Sequence, residues 1–512
     1  MRRVARYLPV AALVMCAATI FAAPAARAAT PPCSAPGSAS GEWPVYGGDL
    51  ANTRSQPDEH ALAPARAATL KKAWVFSTAS VGDAAGFEST PVVDGGCVFA
   101  GSSNAVVYAL NAANGKLVWH RKLDLASAGA GGGIVGAPVV DGSRVIVLVN
   151  EANAPYVAAL DRSTGALLWK SAPIFAGDGF YTNASPVVAN GFVVAGFSPA
   201  EGDSRATGGF TLLDPASGAI EDVTPTIPPA DQAKGFAGGG LWSTPAYDPA
   251  TGYMYWGAGN PFSKTQAHPN TDAILKIDLD RSRATFGQIV GASPGNVDQY
   301  TDTLQTLSGT PVCAATDNPN VPDPIDDPAC GQLDLDFGSS ANLFTDSHGR
   351  ELVGDLQKSG VYHAADAASM KPLWAQIVGV SCQVCNADST AWDGKAIQGV
   401  GTPGGAMFSL SPDAGAPNWL SPIADGVHYQ SVSTADGVVY TVDGNGFLDA
   451  LDASTGDTIV RRQMALDAQT PTAGLTSNGV SIAEHTVFAS ASELPMVTGG
   501  ATAGLIVAYR PG

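Results

Sequence analysis

The stretch 238–260, GGGLWSTPAYDPATGYMYWGAGN, concentrates residues that can act together on a ligand. Gly238, Gly239 and Gly240 let the backbone come close to something flat. Trp242 follows them with a large rigid face, and a strand carrying Tyr253, Tyr255 and Trp256 runs on to Gly-Ala-Gly-Asn. Asn260 ends that run with an amide oxygen suited to a hard cation or a ligand. Three further polar residues stand in similarly apolar, glycine-rich settings: Glu201 in GFSPAEGDSRATGGF, Asp336 in LDLDFGSSANLF and Lys358 in LVGDLQKSGVYHA. A glycine run at 131–133 precedes another apolar strand. Glu, Asn and Asp are the oxygen donors that a cation such as calcium takes. One such residue alone reads as a loop acid or a turn; spread over consecutive repeats, they read as a site.

Those repeats must position them. From Lys71 onward the chain repeats a strand of the type S/T/A-P-V-V, a turn, a second strand, and a segment like V-x-A-L-D-x-x-T-G-x-x-x-W. The last segment occurs as VYALNAANGKLVW from Val107, VAALDRSTGALLW from Val157 and FTLLDPASGAI from Phe210. It returns from Ile274, Tyr362, Met407 and Leu448, and a shortened eighth copy, LIVAYRPG, starts at Leu505. Apolar–polar alternation predicts strands, and the Asp-x-x-Thr-Gly pieces predict turns in which Gly supplies a positive φ. Four-stranded units bury both faces only in a ring, so eight copies predict an all-β, eight-bladed β-propeller. The eighth copy lacks its outer strand; the segment 71–78, KKAWVFST, has the pattern to pair beside 505–510 and close the ring. Trp119, Trp169, Trp374 and Trp419 recur at blade positions and are expected to pack between neighbours. The stretch 283–334 is expected to be a long loop.

The chain has 512 residues and a net charge of −19, which excludes nucleic acid as a natural partner. The first 28 residues read as a secretory signal peptide: Arg2, Arg3 and Arg6 precede an apolar run, and Ala26-Arg27-Ala28 fits a cleavage site. Its removal takes the charge to −23, because four arginines leave with it. Residues 29–70 form a polar, turn-rich lead segment containing WPVYGGDLANTRSQ, and 71–512 form the propeller. The expected location is periplasmic or secreted, and no later stretch is apolar for long enough to span a bilayer. Six cysteines remain after the leader: Cys33, Cys97, Cys313, Cys330, Cys382 and Cys385. An even count in an exported chain suggests disulfides, with Cys313 and Cys330 closing an acidic loop. Cys382 and Cys385 form a C-x-x-C, but Asn386 stands where covalent haem attachment needs His, and no second ligand pair suggests zinc.

At YGGDLANTR, GGGLWSTPAYDP, GAGNP, DLDFGSSANLF and LQKSGVYHA the chain resembles the quinoprotein alcohol dehydrogenases, propellers that bind pyrroloquinoline quinone (PQQ), and among them the polyvinyl-alcohol dehydrogenase-like branch. The resemblance implies that Trp242 stacks on the quinone and that Glu201, Asn260 and Asp336 hold calcium. It further implies that Asp336 is the general base and that Lys358 hydrogen-bonds the quinone oxygens. Relatives that use a lanthanide place an Asp two positions after the base; Gly338 stands there, so calcium is expected. The chain departs from the family in lacking the adjacent-cysteine cap, the arginine near it and a fused cytochrome domain. Electrons would leave through a separate acceptor, a small cytochrome c being one the acidic surface suits, with 317–336 as a docking patch. The other reading is a non-catalytic propeller that serves as a binding or envelope-assembly scaffold.

Overall fold

The computed structural model describes residues 1, 31–126, 128–175, 181–199, 206–262, 267–296, 335–379, 386–401, 406–422, 428, 430–470, 479–492 and 503–512. Eight antiparallel sheets follow one another along the chain. They span 92–122, 128–170, 187–225, 246–294, 342–377, 391–422, 433–463 and 480–511, numbered here as blades 1 to 8. The strand Leu70–Ser77 supplies the outer edge of blade 8. It pairs antiparallel with Leu505–Pro511, Lys71 opposite Arg510 and Ser77 opposite Leu505. The ring therefore closes by joining the two ends of the propeller segment. Among the described residues, no helix is long and apolar enough to cross a membrane.

The recurring tryptophans seal blade to blade. Each indole Nε1 donates to a turn carbonyl of the next blade: Trp119 to Arg162, Trp169 to Pro215, Trp374 to Pro412 and Trp419 to Ala453. Trp74 does the same to Ala112 across the closure. Each ring lies flush on the turn glycine, where even a Cβ would intrude to 2.4–2.6 Å. Gly218, for example, has φ +71° and an added Cβ there would meet Trp169 at 2.4 Å. The repeat's W and G are thus two halves of one contact, which is why they recur together.

One expectation is corrected. Residues 283–334 are not one loop, because Ile289–Pro294 is the outer strand of blade 4. Its face is half-exposed and its sequence, Ile-Val-Gly-Ala-Ser-Pro, lacks the alternation that marks inner strands. The acidic segment 317–334, and Cys313, Cys330, Cys382 and Cys385, lie outside the described residues. Cys33 and Cys97 form a disulfide that ties the lead segment to blade 1.

The lead segment crosses the bore of the ring. Inner strands offer it backbone groups at one common level: Val93 N–H donates to Trp43 O, Val140 to Pro44, Tyr247 to Leu50, Leu343 to Ala51, Trp392 to Thr53 and Thr434 to Arg54, at 2.6–3.0 Å. Gln56 Nε2 adds a bond to Ile482 O in blade 8. Seven of the eight blades are gripped by this strap. Three residues earlier on the inner strands a belt of hydroxyls links adjacent blades. Ala137 N–H donates to Ser185 Oγ, Ser185 to Thr244, Thr244 to Ser340, Ser340 to Ser389 and Ser389 to Ser431. Buried backbone donors that no ladder satisfies are met this way. Two residues earlier again stands the level that carries Trp242.

Candidate active site at the open mouth

Aligned on the belt, equivalent positions at the mouth are Glu88, Val135, Asn183, Trp242 and Gly338, in blades 1 to 5. Each precedes its belt position by two residues. Trp242 is half-buried, and its indole Nε1 donates to Asp336 Oδ2 at 2.7 Å. Lys358 Nζ lies 2.7 Å from Asp336 Oδ1 and 5.0 Å from the Trp242 ring centroid. The main chain reinforces the pair, because Lys358 N–H donates to Asp336 O at 3.1 Å. Asn386 Nδ2 then holds Lys358 O from blade 6. Asp336 is 3% and Lys358 8% exposed. The Asp336 carboxylate has one oxygen hydrogen-bonded by an indole N–H and the other ion-paired with an ammonium.

The glycines make room for this. Gly338 lies under the Trp242 indole, where an added Cβ would meet the ring at 2.4 Å and Ala387 at 3.0 Å. A longer side chain at 338 is therefore excluded while the indole keeps its place. Gly238 adopts φ +99°, and a Cβ there would meet Asn260 O at 2.2 Å. Gly239 N–H donates to Asn260 O at 2.9 Å, and Gly259 N–H to Gly240 O at 2.8 Å. Gly259 in turn faces Asp336, with 3.5 Å from an ideal Cβ to Oδ2. Asn260, buried at 8% exposure, is thereby set beside the Trp242–Asp336 pair. Ser198 Oγ packs against Gly240, so the chain leading to Glu201 enters at the same place. Glu201 itself lies outside the described residues.

Two residues on this level were not singled out in the sequence. Glu88 is 6% exposed, and burial pushes its carboxyl up to about 7 despite a lowering hydrogen bond from Ser103. Asn183 has its amide oxygen buried with no hydrogen-bond partner among the described residues. The signal was there: Glu88, Asn183 and Trp242 each stand three residues before a proline, in ESTP, NASP and WSTP. Aligning the repeats on that proline finds them.

The donor set suits the groups expected of it. Asp336 and Asn260 are both buried, Gly259 packs against Asp336, and carboxylate and amide oxygens are the donors an oxygen-ligated divalent ion takes. An indole with a cation over it and no side chain at 338 offers one flat, electron-rich face. An eight-bladed ring with a strap across its bore and a Trp242–Asp336–Lys358 cluster above it defines the class of protein by fold: an eight-bladed β-propeller. The family model described as "Outer membrane protein assembly factor BamB" matches residues 58–235. A polyvinylalcohol dehydrogenase of Pseudomonas sp is 26% identical over 345 residues, covering 64% of this chain and 49% of that protein. The quinohemoprotein alcohol dehydrogenase ADH IIB of Pseudomonas putida is 26% identical, covering 57% of this chain and 46% of that protein. The chain thus spans about half the length of these curated relatives. The crystal structure of quinohemoprotein alcohol dehydrogenase from Comamonas testosteroni superimposes with a TM-score of 0.69 at 16% identity, over 92% of this chain and 81% of that one. The chain is thus similar in sequence to quinoprotein alcohol dehydrogenases, polyvinyl alcohol dehydrogenases among them, and shares the fold of the solved one.

Proposed function

We propose that the chain is an exported quinoprotein dehydrogenase that oxidises an alcohol, with PQQ and calcium at the mouth. The observation that carries this reading is the contact of Trp242, Asp336 and Lys358 beside Asn260. PQQ, when bound, supplies a quinone that accepts a hydride, and calcium supplies a Lewis acid that polarises it. Asn260, Asp336 and Glu201 would hold the ion, and Trp242 the flat face of the quinone. Asp336 is the base: its carboxylate takes the hydroxyl proton as the alcohol carbon gives up its hydrogen. The two bonds it makes to Trp242 and Lys358 fix its plane before substrate arrives. Lys358 offers the positive charge that steadies negative charge developing on oxygen beside it. The alcohol is secondary, polymeric or a sugar. Electrons leave to a separate acceptor, and a small cytochrome c suits the acidic surface.

The test is to load the purified apoprotein with PQQ and calcium, then measure retained quinone absorbance and dye reduction with a panel of alcohols. Asp336→Asn should retain the fold and lose turnover by about 10²–10⁴-fold, the range of a positioned base. Unchanged turnover would remove Asp336 from that role. The second reading, a propeller that acts as a binding or assembly scaffold, is favoured by the BamB match over 58–235 and by the missing cysteine cap. Failure to retain PQQ under any metal condition would select it.

A further inference from the structure

Arg54 is the one cation among the described residues with no exposed surface at all. It belongs to the strap, and its guanidinium reaches inward from it. Nε donates to Val432 O at 2.7 Å and Nη1 to Tyr46 O at 2.8 Å. Nη2 reaches Ser433 Oγ at 3.0 Å, and Thr90 Oγ1 and Val480 O at 3.4 Å. The group lies 4.7 Å from the Tyr46 ring centroid and 5.8 Å from that of Trp43. Every partner is neutral: no carboxylate among the described residues lies within ion-pair distance of it. Burial lowers its pKa, offset in part by the Tyr46 phenol and by no carboxylate.

Its position makes that charge useful. Val432 and Val480 sit one residue beyond the hydroxyl belt, and the Trp242 level sits two residues before it. Three residues of extended chain place the guanidinium ~10 Å beneath the mouth. Among the described residues of the mouth, Lys358 is ion-paired with Asp336, and Glu88, Asp336 and Asp388 all stand on or just below that level. The chain as a whole carries −19.

We infer that Arg54 is an electrostatic binding residue: its unpaired charge, buried under the floor of the site, attracts the carboxylates of an anionic ligand at the mouth without touching them. This rests on the dehydrogenase reading for the identity of that ligand. A charge held inside protein acts through a lower effective dielectric than one in bulk water. One unit charge at ~10 Å and an effective dielectric of ~20 corresponds to about a tenfold change in affinity.

The role as a structural hub and the role as a charge separate by substitution. Apoprotein is titrated with PQQ in the presence of calcium chloride, binding is followed by quinone absorbance, and Tm is measured in parallel. Arg54→Lys keeps the charge and loses the fork, so Tm should fall while Kd stays within about twofold. Arg54→Met should lower Tm and raise Kd about tenfold. Should Arg54→Met not fold, Thr90→Asp sets a carboxylate against Nη2; it should keep or raise Tm and still raise Kd several-fold. An unchanged Kd in folded Arg54→Met or in Thr90→Asp overturns the inference and leaves the dehydrogenase reading standing. A wild type that binds no PQQ overturns both.

Discussion

At the scale of single residues, the mouth is governed by what burial does to carboxyl groups. Asp336 has an indole N–H on one oxygen and an ammonium beside the other. Asp355, behind it at the seam of blades 4 and 5, has no such partners. It is fully buried, both its oxygens lack a hydrogen-bond partner among the described residues, and Oδ2 packs on Gly257. Desolvation raises its pKa well above the usual carboxylate range, against weaker lowering contributions from Ser339 and the backbone of Leu356. A carboxyl whose folded pKa is raised binds its proton more tightly in the native state. Its burial is cost-free below the unfolded pKa near 4 and costs increasing stability as pH rises from there toward the folded pKa. Asp355→Asn, an uncharged isostere, should therefore be more stable than wild type at pH 7. The gap should close as pH is lowered toward 4; chemical denaturation across that range measures it.

At the scale of elements, the Trp-on-Gly contact is the unit that sets one blade against the next. Trp169 is 9% exposed, lies flush on Gly218 and bonds Pro215 O. Trp169→Ala removes the contact and opens a cavity between blades 2 and 3, at a cost of about 3–5 kcal/mol, readable as a fall in the denaturation midpoint. The repeat was legible for the same reason: a turn glycine and an indole must recur at fixed spacing if each blade is to dock on its neighbour. Blade count and closure followed from that period. The outer strand of blade 4 did not, because a half-exposed edge needs no apolar pattern. Glu88 and Asn183 were also missed, since they become equivalent to Trp242 only when the blades are aligned rung by rung.

For the whole molecule, two long-range arrangements matter most. The first is closure, in which 70–77 and 505–511 lie side by side although they are far apart in the chain. Deleting 505–512 removes a strand from the middle of blade 8 and strands its outer edge, so the truncated chain should show no cooperative unfolding transition; a full-length-like transition would contradict this. The second is the strap, which crosses the bore and bonds to seven of the eight blades. Together they lock the ring at its seam and from inside.

The sequence by itself determined the propeller, because strand alternation, turn glycines and docking tryptophans are local and periodic. It also marked Trp242, Asn260, Asp336 and Lys358, because they break that period in apolar settings. Only the tertiary structure decided that Trp242, Asp336 and Lys358 touch, since they stand on different rungs of blades 4 and 5. It alone placed an unpaired guanidinium beneath them: nothing in the letters WPVYGGDLANTRSQ distinguishes an arginine facing solvent from one held in the bore by backbone carbonyls and hydroxyls of three blades.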